Sequence, residues 1–307
     1  MLIRPTLAFA ICTDKPMPAP SRKNRPADVL PYTLVFMTGI EDLELVQELA
    51  DMADGISLRY FDADGVPTQT KADGSPVTQA DREVEQAIRD RLGASRPGDL
   101  VIGEELGRHG TASRRWIVDP IDGTANFAAG RAEWSTLLAV EADGEIVTGM
   151  ISAPMLRRRW WATRSAGAWT GSSTAEDLGP GEPLAVSSVA TLDTATVAIW
   201  PLGAWVAPRR AAAGRRLIEL GAGGGPLSDW ADACHGAALV AAGVVDVFFH
   251  MSAGPWDIAA AYPIVEEAGG TVSDLTGGRS ISSGAAVYSN GHIHDEVLEV
   301  LQSITAE

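Results

Sequence analysis

The chain has 307 residues, 46% hydrophobic and 21% charged, enough to close the core of one large domain or two modest ones without disulfides or a structural metal. Its formal net charge of −16 excludes proteins that hold nucleic acid or an anionic membrane through basic patches, and it requires any anionic substrate to meet a positive group first. Cys12 and Cys234 lie far apart in no metal-binding spacing, which fits a reducing, cytoplasmic compartment.

Residues 1–36 differ in texture from the rest. A short apolar stretch, Leu7–Cys12, is broken early by Thr13-Asp14-Lys15 and has no convincing cleavage site after it. We expect an unstructured extension, or a start placed too early with Met37 the natural beginning, rather than a signal peptide. No other stretch approaches the roughly 20 apolar residues needed to cross a bilayer.

From Glu41 to Phe61, Leu45, Leu49, Met52, Ala53 and Ile56 recur at helical spacing. A Gly/Asp/Pro-rich loop, 62–77, leads to Thr78. Thr78 with Asp81 forms a capping pattern, and Val84, Ile88 and Leu92 stripe a second helix that the segment Gly93–Asp99 should end. Strands follow at Trp116–Val118 and at 134–141, 145–152 and 157–163, with Asp143-Gly144 as a hairpin turn. Trp160 and Trp161, beside three arginines, should pack on one sheet face with cation–π support. The loop 171–183 divides the chain into halves, 37–182 and 183–307.

The second half alternates. Strands are expected at 195–200, 244–249, 271–273 and 285–288, and helices at 208–220, 229–242, 257–268 and 293–303. Gly221–Gly225 follows a helix and reads as a flexible linker rather than a nucleotide-binding loop.

Acids stand in unusual places. Glu104-Glu105 and Asp119-Pro120-Ile121-Asp122 follow apolar runs, where a strand end leaves a carboxylate partly dehydrated and in need of a partner. Pro120 fixes one φ and Gly123 permits a sharp turn, so Asp119, Asp122 and the Ile121 carbonyl can aim at one point. These are hard oxygen donors with no clustered His or Cys, which favours Mg²⁺ over Zn²⁺. Gly123-Thr124 would open a short helix whose amides suit a phosphate oxygen. Cations held by the acids would turn a negative pocket into a phosphate receptor. Each residue alone has a plainer explanation: Asp81 as a helix cap, Glu104-Glu105 as a solvated loop edge, Asp122-Gly123-Thr124 as a turn.

In combination the motifs are recognisable. Gly103-Glu104-Glu105, the run Trp116–Thr124 with Asn126-Phe127, and Trp256-Asp257 through Glu266–Gly270 resemble the inositol monophosphatase superfamily over roughly 37–301. The resemblance implies an α/β (α+β) fold, a layered α/β/α/β/α sandwich, and a homodimer. It also implies a lithium-sensitive phosphomonoesterase with two or three Mg²⁺ ions, acting on a small-molecule phosphate ester. By that resemblance Glu104, Asp119 and the Ile121 carbonyl hold one ion, and Asp119, Asp122 and Asp257 a second. Asp81 and Thr124, near Glu104, would orient or deprotonate water, and Gly123 and Thr124 would grip phosphate. Lys71–Asp81 resembles a mobile loop that closes the site.

Substrate choice is the next question. His250 stands ahead of Asp257 where inositol-specific members carry an acidic residue. Trp230–Gly236, Arg158–Ala162, Leu239–Gly243 and the helix-breaking Pro263 look more like the histidinol-phosphatase branch. Asp232 would suit an amine-bearing substrate, or else cap a helix. His250 would touch substrate, or else be a partly exposed strand-end histidine. Histidinol phosphate is the expected substrate. Inositol phosphate, a nucleotide 3′-phosphate and fructose 1,6-bisphosphate remain alternatives, as does a non-catalytic relative.

Overall fold

The computed structural model describes residues 29–61, 66–72, 74–109, 112–173, 181–201, 206–226 and 233–305. The apolar extension Leu7–Cys12 and Asp232 lie outside the described residues.

Helix α1 spans Val29–Phe61, so helical backbone starts well before the expected Glu41. A short hairpin of β1 (Thr68–Thr70) and β2 (Pro76–Thr78) leads into α2 (Gln79–Ser95), with the expected capping box at Thr78 and Asp81. Next come β3 (Leu100–Gly103), β4 (Gly107–His109), β5 (Arg114–Asp122), helix α3 (Thr124–Ala128), β6 (Ser135–Ala142), β7 (Glu145–Ala153), β8 (Arg158–Thr163), β9 (Ala168–Gly171) and β10 (Glu182–Pro183). Asp143 and Gly144 both have positive φ, 52° and 84°, the two-residue hairpin turn that their sequence demands. These strands form an eight-stranded sheet, β10-β9-β8-β7-β6-β5-β3-β4.

The second half contains β11 (Thr196–Trp200), α4 (Pro208–Leu220), β12 (Gly223–Pro226), α5 (Ala233–Ala241), β13 (Val247–His250), α6 (Pro255–Ala259), α7 (Ala261–Glu267), β14 (Thr271–Ser273), β15 (Ala286–Ser289) and α8 (His294–Thr305). Its sheet has the order β12-β11-β13-β15-β14. The glycine run expected to be a linker is instead an edge strand, paired in parallel with β11 from Thr196↔Gly223 to Ile199↔Pro226. Its side-chain-poor backbone lies close against Val197, where a Cβ at Gly224 would strike main-chain atoms.

Alternation along the strands builds the layers. Trp116 and Val118 of β5 point to a core with Leu49, Val84 and Ile88 of α1 and α2, whereas Ile117 points the other way. Ile117 joins a second core with Ala238 of α5, Ile258 of α6, Ile264 of α7, and Phe248 and Tyr288 of the five-stranded sheet. Val247, Phe249 and Val287 leave that sheet on its far face, where they meet Leu217 of α4 and Val297 of α8. The order is therefore α1/α2, sheet, α5/α6/α7, sheet, α4/α8: the expected five-layer sandwich. Trp160 and Trp161 fall on opposite faces of β8, as adjacent strand residues must, and not together on one. The cation–π contact among the described residues is Arg279 over Tyr262, 5.3 Å from the ring centre.

One helix expected at 257–268 is broken into α6 and α7 at Ala260. Pro263 has no N–H to give to the carbonyl a turn earlier. Gly149 of β7 lets the sheet approach this break: a Cβ there would collide with the Ala260 carbonyl and lie 2.8 Å from Pro263 Cγ.

Candidate active site

The end of β5 creates the site. In a regular strand Asp119 and Asp122 would face opposite sides. Here Asp119 pairs with Leu137 and Asp122 with Ser135, so one extra residue is bulged out between them. Pro120, with no ladder donor, sits in that bulge, and its carbonyl accepts from Thr136 Oγ1 at 2.8 Å. The bulge brings both carboxylates to one side. Ile121 is fully buried with Ala80, Phe127 and Trp134, and the rings of Phe127 and Trp134 meet edge-on at 4.9 Å. This packing pins the bulge from behind.

Asp257, in the first turn of α6, accepts the Gly254 amide on Oδ2 at 2.6 Å. Single carboxylate oxygens of Asp119, Asp122 and Asp257 lie within 4.8 Å of one another, although Asp257 is far away in sequence. Asp119 is 1% exposed, and its Oδ1 has no hydrogen-bond partner. Burial first, then the like charge of Glu104, Asp122 and Asp257, pushes the Asp119 carboxyl well above the usual range. Burial and the charges of Asp122 and Glu104 likewise push Asp257 up. An orphaned buried oxygen among mutually repelling carboxylates fits a hard divalent cation.

Glu104 lies near enough for its charge to reach both aspartates, but outside that triad. Its Oε1 accepts from Lys71 Nζ at 2.7 Å, and Lys71 also bonds Glu105. Burial works to lower the Lys71 pKa, but the two glutamates outweigh it and raise it. Glu105 is pushed up to about 7 by burial, against the pull of Lys71. Sequence reading placed Lys71 in the closing loop and Glu105 in the Gly103-Glu104-Glu105 motif, but paired neither with the other nor with Glu104. The signal lay in the second acid of Glu104-Glu105 and in the loop that opens at Lys71.

Asp81 is the helix cap that its position suggests, and its second oxygen is turned to Thr124. Oδ2 accepts the Thr78 amide at 2.8 Å and the Thr78 hydroxyl at 2.5 Å, closing the helix cap. Oδ1 lies 3.0 Å from Thr124 Oγ1, which is also 3.0 Å from the Ile121 carbonyl. Burial raises the Asp81 pKa, partly offset by the Thr78 bonds. Gly123, with φ of 84°, is the N-cap of α3, a conformation that glycine adopts without strain.

His250 ends β13, 3% exposed, its ring 5.7 Å from that of Phe248. The expectation of a partly exposed strand-end residue is therefore corrected. β13 lies between β11 and β15, covered on both faces, and burial pushes the His250 pKa down to about 3.

Residues 42–306 match the model of the Inositol monophosphatase family. The chain is 42% identical over 270 residues to a histidinol-phosphatase of Mycobacterium tuberculosis, covering 86% of this chain and 98% of that protein. It is 40% identical to a histidinol-phosphatase of Streptomyces coelicolor, covering 85% and 97%. Among solved structures, the extragenic suppressor protein suhB of Bartonella henselae superposes with a TM-score of 0.75 at 27% identity, covering 85% of this chain and 98% of that one. The bulged aspartates of β5, the distant Asp257 and the five layers thus have a common origin: the chain belongs to the inositol monophosphatase family of metal-dependent phosphoric monoester hydrolases.

Proposed function

We propose that this phosphatase hydrolyses histidinol phosphate to histidinol, with two or three Mg²⁺ ions held by Glu104, Asp119, the Ile121 carbonyl, Asp122 and Asp257. The observation that carries the metal reading is the buried, unpartnered Asp119 Oδ1 inside the Asp119–Asp122–Asp257 triad. The substrate reading rests on the two histidinol-phosphatases that align with nearly their whole length. When bound, the ions would supply an activated water and neutralise charge on the phosphoryl group.

The protein's own groups handle the proton and the anion. Thr124 Oγ1 carries one hydrogen and faces two acceptors, so it can pass its proton to Asp81 Oδ1 while accepting one from the attacking water. Raised by burial, Asp81 is a better proton acceptor than an exposed aspartate. The Gly123 and Thr124 amides would receive phosphate oxygens at the start of α3. Asp232 would face the substrate amine, and His250, neutral at physiological pH, would line the pocket by shape rather than by charge.

A substrate panel tests this directly. With Mg²⁺, kcat/KM for histidinol phosphate should exceed that for inositol 1-phosphate, a nucleotide 3′-phosphate and fructose 1,6-bisphosphate. Asp232→Asn should weaken histidinol phosphate selectively. A higher kcat/KM for any of the other esters would overturn the assignment.

A further inference from the structure

The face of α2 that carries Asp81 carries a second acid one turn later, and no part of the chemistry above uses it. Glu85 is completely buried. Its Oε2 accepts the Glu105 amide at 2.7 Å, and its Oε1 accepts the Leu106 amide at 3.1 Å and Arg89 Nε at 2.9 Å. Arg89 reaches onward to the Gly107 carbonyl. Glu104–Leu106 form the turn between β3 and β4, which pair from Val101↔His109 to Gly103↔Gly107. Two side chains of α2 therefore hold three backbone groups of the turn that presents Glu104. Gly103 makes room for this, since a Cβ there would overlap the Glu85 carboxylate.

Stability alone is a weak reason for such a group. A buried ion pair is often matched or bettered by apolar residues of similar volume. The geometry offers a better one. Asp81 and Glu85 are i and i+4 on one rigid helix and so share a face. Asp81 engages Thr124 on one side, and Glu85 fixes the Glu104 turn on the other. The helix thereby sets the spacing between the proton acceptor and the Glu104 carboxylate.

We propose that Glu85, backed by Arg89, is a positioning residue that holds the β3–β4 turn so that Glu104 stays at the edge of the Asp119–Asp122–Asp257 cluster. This rests on reading that cluster as the metal centre. Glu85→Gln keeps the shape but turns an amide NH₂ towards donors. Titration calorimetry with Mg²⁺ should show affinity weakened about 10- to 100-fold, the usual cost of losing a group that orients a metal ligand. Hydrogen exchange in metal-free protein should quicken at the Glu105 and Leu106 amides. Where Glu85→Gln does not fold, Arg89→Lys keeps the charge and should give a smaller loss of the same kind. Ile88→Val, a core change on the same helix, should lower the melting temperature without touching Mg²⁺ affinity. Wild-type affinity in a folded Glu85→Gln or Arg89→Lys, or an equal loss in Ile88→Val, would overturn the proposal. Asp119→Asn separates the two claims: it should abolish binding, and retained binding there would defeat the metal-centre reading itself.

Discussion

Single side chains here serve two ends at once, and this limits what a sequence can reveal. Asp81 caps α2 with one oxygen and meets Thr124 with the other, so the plain reading of the residue leaves an oxygen over for the proposed proton transfer. Asp119 and Asp122 were legible because carboxylates directly after an apolar run are unusual, whereas Asp257 was reached through the resemblance carried by Trp256-Asp257. Glu85 was not, since an acid within Arg82–Arg91 looks like part of a solvated helical face. Its burial depends on Gly103, at the far end of the strand that follows α2. Buried histidines were equally hidden. His235 packs against Trp160, ring centres 5.6 Å apart, and burial pushes its pKa down to about 4. The unfolded chain protonates this group near pH 6.5, so the stabilising contribution is full above that pH and is lost as pH falls towards 4. The loss is on the order of 3 kcal/mol at full extent. The melting temperature of His235→Gln should therefore fall less steeply than that of the wild type between pH 6.5 and 4. Parallel curves for the two proteins would contradict this.

At the scale of elements, α2, α4, β6, β7, β8 and β14 were found close to their limits; α2 has one buried stripe, and β6 and β7 show as apolar runs because they are covered on both faces. Periodicity failed where tertiary contact overrides local preference. The glycine run became β12 because the edge of a sheet accepts bare backbone, and the helix after Asp257 split where Pro263 meets the approach of β7. The bulge in β5 was only half visible. Pro120 hinted at an irregularity, but the register against β6 decides that both aspartates share a side. The contact of β7 with the helix break also positions α6, which carries Asp257. Gly149→Ala should therefore cost about 1–3 kcal/mol through overpacking against Ala260 and Pro263, read as a lower denaturant midpoint, with a fall in Mg²⁺-dependent turnover. An unchanged midpoint would show that the contact is slack.

For the whole molecule, the five layers could be anticipated from the family resemblance that the motifs carry, and strand–helix alternation gave only an α/β second half, whereas strand order could not be anticipated. Placing β3 in parallel beside β5 is a long-range choice, yet it brings Glu104 to the same sheet end as Asp119. Among the described residues no helix is long and apolar enough to cross a membrane. A net charge of −16 sets the molecule against its anionic substrate unless cations intervene at the acidic cleft. The most direct measurement is therefore phosphate release from histidinol phosphate with Mg²⁺, after EDTA, and after Mg²⁺ is restored, in wild type and Asp119→Asn. Turnover should vanish on chelation, return with Mg²⁺, and be almost absent from Asp119→Asn throughout. Release that continues undiminished in EDTA would contradict a catalytic metal centre at Glu104, Asp119, Asp122 and Asp257.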